Sequence, residues 1–433
     1  MGSTPTLVSL KSKSLLALTI VFVFLSGGIY LILRRSPPSA PAPLPDKYLA
    51  FIDEVYDKIQ NNYWEKITHQ ELSALFLQAA QKLTNNSLAL DTPDKSGVLG
   101  LLRRVLQQTA ADNKTTITVS LADIVLANLK PFARSRLYVQ KDEKALSDTV
   151  NNINLGSDYF QTLGLSASAT DQEVAQAYQK QVDKLAPKAK ESTPAAQKLT
   201  QVQQAYRVLK DAASRQIYQT SGVEPTLEYQ LLTPQIFYLH WLKFSPTTFD
   251  ELQRVTAKVD QGNTLDTLIL DLRDNVGGAI DGLPYFLGPF IGANNYAYQF
   301  YHQGERQDFK TQIGWLPSLL RYKKVVILIN DQTQSTAEVM AAVLKKYNVG
   351  LLVGTTTKGW GTVEKVLPLD HQITDSEKYS LFLVHSVTLR DDGQPIEGRG
   401  VDPIININDP GWPADFLSRF NFPHLLQAVE ELY

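Results

Sequence analysis

The clearest hydrophobic pattern of the chain lies in residues 325–364. An apolar run rich in β-branched residues is followed there by a polar cluster, an amphipathic segment, a second apolar run and a glycine-rich turn. Such a run predicts a buried strand, and the spacing of Ala337, Val339, Met340 and Val343 predicts a helix after it. Ser335 therefore falls at the N-terminus of a helix. A serine there is commonly an N-cap, but beside free backbone N–H groups it is also placed to attack a carbonyl carbon.

The same alternation of apolar and polar segments extends upstream of this stretch. Residues 236–244 are mostly apolar, an amphipathic segment follows, and residues 265–278 form an apolar run that ends in a charged, glycine-rich turn. This order of strands and helices predicts an α/β fold with functional loops at the carboxyl ends of the strands. Asp271 and Arg273, two positions apart at the end of the second strand, are expected to pair beneath those loops.

The preceding part of the chain has helical periodicity. In residues 47–157, Phe51, Val55, Ile59 and Tyr63 recur at every fourth position and predict an amphipathic helical layer, which is either a core face or a homodimer surface. Residues 115–119 are predicted to form a short strand. Residues 158–222 predict two long helices that face each other, with a break between them at Ala186-Pro187-Lys188.

The N-terminus carries an uncharged apolar run over residues 15–33, with lysines before it and arginines after it. At about 1.5 Å per residue it just spans a hydrocarbon core of about 30 Å. The pattern favours a single-pass transmembrane helix over a cleaved signal peptide. A tail precedes it in residues 1–14, and a proline-rich linker follows in residues 34–46. Basic residues on both sides leave the orientation open.

The composition of the chain limits the kinds of partner and of catalytic or metal site that it can have. The 433 residues carry a net charge of −2, which gives no electrostatic argument for a nucleic-acid partner. The absence of cysteine excludes thiolate catalysis and zinc–thiolate sites. No group of His, Asp and Glu has metal-ligand spacing, so neither a metal nor a cofactor is predicted. His240 and His385 lie on predicted core strands and are expected to be packing residues.

Residues 158–222 resemble the J-domain of DnaJ-type co-chaperones. The resemblance rests on D-Y-F-Q-T-L-G-L, Q-Q-A-Y-R-V-L-K-D and R-Q-I-Y-Q-T-S-G. The family's His-Pro-Asp loop reads Ala186-Pro187-Lys188 here. Because the resemblance ties that loop to stimulation of a DnaK-type ATPase, this all-α unit is expected to be a spacer or contact module, with a membrane-tethered co-chaperone as the alternative.

Four motifs in residues 236–405 are similar to those of the C-terminal processing peptidases, or tail-specific proteases. They are L-D-L-R-D-N-V-G-G, I-N-D-Q-T-Q-S-T-A-E-V, V-G-T-T-T-K-G-W-G-T-V-E and G-Q-P-I-E-G-R-G-V-D-P. The resemblance implies a ClpP/crotonase-like core in residues 223–433 and a Ser-Lys dyad with Ser335 as nucleophile. It also implies an oxyanion hole from the backbone of Gly277, Gly278 and Thr336, and an extended polypeptide or protein C-terminus as partner. By the same resemblance the domains lie outside the cytoplasm, and the J-like unit occupies the usual place of a PDZ domain.

The base position departs from this family. The catalytic lysine is replaced by Trp360, which has no group that accepts a proton from serine, and a common glutamine is replaced by Glu364. We therefore predict a catalytically impaired homologue that acts as a peptide-binding scaffold or regulator. Lys358 lies two positions before Trp360, and the alternative is an active serine endopeptidase that uses it as a relocated base.

Overall fold

The computed structural model describes residues 46–259, 264–390 and 392–433. The predicted tail, the transmembrane helix over residues 15–33 and the linker up to residue 45 lie outside these ranges. Among the helices of the described ranges, none is both long enough and apolar enough to cross a membrane.

The N-terminal region is helical, as predicted. Its elements are α1 (Lys47–Asn62), α2 (His69–Thr84), α3 (Lys95–Gln108), α4 (Lys114–Ala127), strand β1 (Arg136–Val139) and α5 (Gln140–Val150). Phe51, Ile52, Val55, Tyr56 and Ile59 of α1 are fully buried inside this chain. Of the two readings of the apolar stripe, the structure therefore has the core face and not the dimer surface.

The short strand predicted at residues 115–119 is wrong, because these residues lie in α4. Thr118 is completely buried, and its hydroxyl donates to the Lys114 carbonyl 2.8 Å away, one helical turn back. Burial of this face of α4 outweighs the weak β-preference of its threonines and isoleucine.

The J-like unit contains α6 (Tyr159–Leu163), α7 (Asp171–Ala189), α8 (Thr193–Leu209) and α9 (Ala212–Ser221). Val174, Leu185, Val202 and Ala205 form part of its own core. The predicted break at Ala186-Pro187-Lys188 is wrong, because α7 continues through Pro187 to Ala189. A proline in the last turn removes one N–H just before the helix ends, which a helix tolerates better than a proline in its middle.

The C-terminal half confirms the α/β prediction. Its strands are β2 (Leu227–Leu231), β3 (Ile236–Trp241), β4 (Thr267–Asp271), β5 (Tyr296–His302), β6 (Glu305–Lys310), β7 (Lys324–Ile329), β8 (Leu351–Gly354), β9 (Thr362–Pro368), β10 (Tyr379–Leu389) and β11 (Ile405–Asn406). Its helices are α10 (Thr248–Val259), α11 (Leu283–Ile291), α12 (Pro317–Leu320), α13 (Thr336–Lys346), α14 (Trp412–Phe420) and α15 (Pro423–Leu432).

One sheet has the order β11-β8-β7-β4-β3-β2, and all its neighbours are parallel except β2 and β3. Strands β3, β4, β7 and β8 are buried along most of their length, which explains their nearly continuous apolar sequences. Parallel strands end at the same edge of a sheet. The loops that follow β3, β4, β7 and β8 therefore meet there, and they carry Lys243, Gly277, Ser335 and Trp360.

The second sheet joins the N-terminal region to the C-terminal half. Its order is β1-β10-β5-β6, with β9 also paired to β10. Strand β1 pairs with β10 from Arg136↔Phe382 to Val139↔Tyr379, and helices α1–α4 share one hydrophobic core with Leu381 and Leu383 of β10. The N-terminal helices therefore pack against the second sheet through β10.

Candidate active site

Ser335 lies immediately before α13, as predicted, in an unusual backbone conformation. Its φ is 57° and its ψ is −126°. A non-glycine residue in such a sparsely populated region is strained by about 1–3 kcal/mol. Its side chain makes no N-cap hydrogen bond, and within the described residues its hydroxyl has no hydrogen-bond partner. The conformation therefore presents a free hydroxyl at a helix N-terminus.

The loop after β4 approaches Ser335 closely, and glycine makes that approach possible. A Cβ atom added to Gly277 would lie 2.7 Å from the Ser335 Cβ and 3.0 Å from the Thr336 nitrogen, and one added to Gly278 would lie 2.0 Å from the Phe244 carbonyl oxygen. The structure thus brings the predicted Gly277, Gly278 and Thr336 together around Ser335.

The three predicted oxyanion-hole N–H groups differ in availability. The Gly277 N–H donates to Asn275 Oδ1 at 2.8 Å. In the part of the chain that the structure describes, the N–H groups of Gly278 and Thr336 have no protein acceptor. Two donors beside Ser335 are therefore free to bind an oxygen atom of a ligand.

Glu338, which the sequence analysis missed, organises the site. Its fully buried carboxylate accepts the N–H of Ser335 at 2.9 Å, the N–H of Trp360 at 2.8 Å, the N–H of Gly359 at 2.7 Å and the hydroxyl of Thr357 at 2.6 Å. Burial raises the pKa of Glu338, and these four donors oppose the rise. A signal was present, since Ser335 and Glu338 have the spacing of a capping box.

Trp360 lies in the same cavity as Ser335 and is fixed from two sides. Its backbone N–H shares the Glu338 Oε2 atom with the N–H of Ser335. The guanidinium carbon of Arg134 lies 3.3 Å from the centre of its ring. Arg134 also pairs with Glu397 at 3.1 Å, and Glu397 accepts the Gly361 N–H at 2.8 Å. Arg134 lies in the N-terminal region, so that region contributes directly to the site.

The Lys358 side chain is directed elsewhere. It is exposed, its ammonium lies 3.5 Å from Gln332 Oε1, and it does not line the Ser335 cavity. Its backbone N–H donates to the Thr333 carbonyl at 3.0 Å. The structure therefore does not bring the candidate relocated base to Ser335.

The Ser335 cavity has a volume of about 340 Å³ and contains two other titratable side chains of interest. Burial raises the pKa of Glu364, while the Thr362 hydroxyl at 2.5 Å, the Arg134 charge and Trp360 oppose the rise. Burial lowers the pKa of Lys243. Sequence reasoning missed Lys243, although it lies two residues beyond β3, at the edge where functional loops gather.

The two histidines pack away from Ser335. His240 Nε2 lies 3.2 Å from the Arg273 carbonyl, and His385 Nδ1 lies 2.8 Å from the Ser386 hydroxyl. Arg273 and Asp271 form the expected ion pair at 2.6 Å. Within the described ranges, no group of three or more His, Asp or Glu side chains is arranged to hold a metal ion.

Ion pairs connect the J-like unit to the core. Arg207 pairs with Glu228 at 3.3 Å, and Lys258 pairs with Asp211 at 3.1 Å. Pro187 and Lys188 are exposed at the end of α7, and the tripeptide does not line the Ser335 cavity.

Two family models match the chain. The model of peptidase family S41 matches residues 235–407, and the DnaJ domain model matches residues 158–219. A carboxy-terminal-processing protease of Bartonella bacilliformis is 27% identical over 182 residues, which is 40% of this chain and 39% of that protein. The carboxy-terminal processing protease CtpA of Bacillus subtilis is 30% identical over 170 residues, which is 39% of this chain and 34% of that protein. The matched part thus spans little more than a third of these relatives.

Two solved structures align with a longer part of the chain. The photosystem II D1 C-terminal processing protease is 14% identical, with a TM-score of 0.48, over 84% of this chain and 94% of that one. A lipoprotein from Streptococcus agalactiae is 13% identical, with a TM-score of 0.44, over 86% of this chain and 96% of that one.

Proposed function

We propose that this chain, which carries a peptidase family S41 domain and a DnaJ domain, is a membrane-anchored homologue of the carboxy-terminal processing proteases. In this proposal it binds extended polypeptides beside Ser335 and hydrolyses them inefficiently, as a scaffold or regulator. The anchor is residues 15–33, and the folded domains lie outside the cytoplasm. The anchor rests on the length and flanks of that segment, and the compartment rests on family resemblance alone.

The proposal rests mainly on the side chain and the contacts of Trp360. Its indole offers no proton acceptor, and its backbone is fixed to the same Glu338 oxygen as that of Ser335. Serine is a weak nucleophile without an adjacent base, and loss of the base in such a unit lowers turnover by orders of magnitude. The nucleophile position is thus kept without the family's proton acceptor.

Polypeptide binding is supported by the cavity itself. The N–H groups of Gly278 and Thr336, which have no acceptor among the described residues, can donate hydrogen bonds to a backbone carbonyl oxygen of a ligand. Val276, next to the two glycines, has 52% of its surface exposed and lines the same cavity. Apolar surface beside a few fixed polar groups is typical of ligand sites.

Two alternatives have less support. The active endopeptidase needs Lys358 near Ser335, but its ammonium lies beside Gln332. The co-chaperone needs a working His-Pro-Asp loop, but Ala186 and Lys188 replace two of its residues, and Lys reverses the charge of Asp.

The test combines binding and cleavage. The purified chain and its Ser335→Ala variant are incubated with an unfolded, fluorescently labelled protein, and complex formation and fragments are both measured. We expect both forms to bind the protein and neither to cleave it measurably. Cleavage that disappears in Ser335→Ala would overturn the scaffold proposal in favour of an active peptidase. Absence of binding by both forms would overturn polypeptide recognition.

A further inference from the structure

Lys243 is a half-buried cation without a counter-ion at the Ser335 cavity. It lines this cavity together with Gly277, Gly278 and Ser335. Its ammonium donates to Asn152 Oδ1 at 3.5 Å, and among the described residues no carboxylate lies within ion-pair distance of it. Because burial disfavours an unpaired charge, this ammonium is incompletely compensated in the free protein.

No acidic side chain of the described residues neutralises Lys243 by an ion pair. Glu224 acts on it only at longer range, opposing the effect of burial on the pKa of Lys243. The Glu224 carboxylate itself accepts hydrogen bonds from the Tyr159 hydroxyl and from the Asn154 amide. Asp281, which is exposed, and Glu364, which accepts the Thr362 hydroxyl, also line the cavity, and among the described residues neither forms an ion pair with Lys243. A negatively charged group on a ligand could therefore form the ion pair that the Lys243 ammonium lacks in the free protein.

The rest of the cavity suits a polypeptide that carries this negative group. Gly278 and Thr336 have free N–H groups, and Leu146, Val150 and Ile280 provide apolar surface. The cavity thus combines hydrogen-bond donors, apolar surface and one unpaired cation. A neutral segment would use only the first two of these features, and a carboxylate-bearing segment would use all three.

We propose that the Ser335 cavity binds a carboxylate of the polypeptide, with Lys243 as its counter-ion, and that Lys243 determines this preference. The inference rests on the proposed function, since it assumes that the cavity binds polypeptide. The carboxylate has two sources, the C-terminus of the polypeptide or an acidic side chain within it. Both present the same group to the ammonium.

The test compares peptides that differ in one charge. A labelled ten-residue neutral peptide is made with a C-terminal amide, with a free C-terminal carboxylate, and with a C-terminal amide plus one internal aspartate. Fluorescence anisotropy with the full chain gives each Kd at low and at high salt. We expect a carboxylate peptide to bind roughly ten- to a hundredfold more tightly than the neutral amide, because hydrogen bonds between charged groups are stronger than neutral ones. This gain should shrink at high salt.

Variants assign the preference to one residue. Lys243→Met should reduce the ratio of the two Kd values to about one, and Lys243→Arg should retain the preference. Lys66→Met is the matched control, because it removes the same charge from an exposed lysine outside the cavity and should leave the ratio unchanged. Thermal melting establishes that each variant is folded.

Each outcome bears on a different claim. A preference for the free C-terminus or for the internal aspartate supports the inference and identifies the source of the carboxylate. Equal binding of all peptides by the unaltered chain overturns the inference without any variant and leaves polypeptide binding intact. A preference that survives in folded Lys243→Met overturns the role of Lys243. If no peptide binds, the proposed function fails and this inference fails with it.

Discussion

The guanidinium carbon of Arg134 lies 3.3 Å from the centre of the Trp360 ring. Trp360 follows β8, whereas Arg134 precedes β1 in the N-terminal region. The sequence motif predicts that Trp360 stands at the base position of the family, and in the structure the Arg134 cation covers the Trp360 ring. Trp360 is held both by the Arg134 cation and by the hydrogen bond from its backbone N–H to Glu338, which favours a structural role for Trp360.

Arg134→Ala should destabilise the protein by about 1–2 kcal/mol, because the variant loses a partly desolvated cation–π contact. It also loses the pair with Glu397. Denaturant unfolding measures the change. Arg136→Ala is the control, since the Arg136 side chain is exposed and, among the described residues, its one recorded hydrogen bond is to the Ala133 carbonyl at 3.4 Å. Similar losses in both variants would contradict the importance of the stacked pair.

Trp360→Lys should create serine-dependent cleavage of an unfolded protein. The variant restores the residue type of the family's base next to the free Ser335 hydroxyl, and general-base assistance contributes about 10²–10⁴-fold to rate. Fragment formation is followed by gel electrophoresis, with Trp360→Lys/Ser335→Ala as the control. If the unaltered chain cleaved as fast as Trp360→Lys, tryptophan would not be the cause of impairment.

Glu338→Gln should destabilise the protein by about 2 kcal/mol or more, because an amide group in place of one carboxylate oxygen leaves buried N–H donors without an acceptor. It should also weaken peptide binding, since Ser335 and Trp360 are both fixed by this carboxylate. Thermal and denaturant unfolding provide the measurement. Glu364→Gln is the comparison, because the Glu364 carboxylate accepts the Thr362 hydroxyl at 2.5 Å, whereas the N–H groups of Ser335 and Trp360 donate to Glu338. A milder effect of Glu338→Gln than of Glu364→Gln would refute the organising role.

Gly277→Ala should abolish peptide binding in the cavity, because its Cβ would lie 2.7 Å from the Ser335 Cβ. Gly164→Ala separates this steric effect from backbone strain. Gly164 has a φ of 72° with nothing within 4 Å of the added Cβ, against a φ of 87° at Gly277. Both variants should lose stability through the positive φ, but only Gly277→Ala should lose binding in an anisotropy titration. Unchanged binding by Gly277→Ala would place the peptide elsewhere.

The stability of the protein should fall as the pH drops from about 6.5 towards 4, in part because of His385. Burial, with the charges of Lys365 and His302, lowers the pKa of His385 to about 4. In this range the unfolded chain binds a proton at His385 and the folded chain does not, so acid favours unfolding. His385→Asn should flatten the curve of melting temperature against pH between these values. An unchanged slope would show that other groups dominate the acid response.

The sequence was sufficient for the local features of the site. Apolar runs followed by polar or glycine-rich turns predicted β3, β4, β7 and β8, and the helical spacing after Ser335 predicted α13. These features depend on neighbours in sequence. The parallel order of the strands then accounts for the meeting of their loops at one edge.

Contacts between distant segments were not predictable in the same way. The stacking of Arg134 on Trp360 and the place of Lys243 in the cavity depend on how β1, β3 and β9 are arranged in space. The helical state of Ala186-Pro187-Lys188 was missed because proline was taken as a break, although it lies where α7 is about to end. Ser335 is the N-cap residue of α13, but at its φ of 57° the side chain makes no cap hydrogen bond, which the sequence could not show.

The J-like unit begins and ends at neighbouring points of the structure. The Asn154 N–H donates to the Gly222 carbonyl at 2.9 Å, and the Glu224 N–H donates to the Asn152 carbonyl at 2.9 Å. These hydrogen bonds hold the two ends of the J-like unit side by side, in addition to the ion pairs that its helices form with the core. An insertion point of this kind suits a module whose N- and C-termini lie close together. We therefore expect that another module of this kind could replace the J-like unit without changing the strand order of the two sheets.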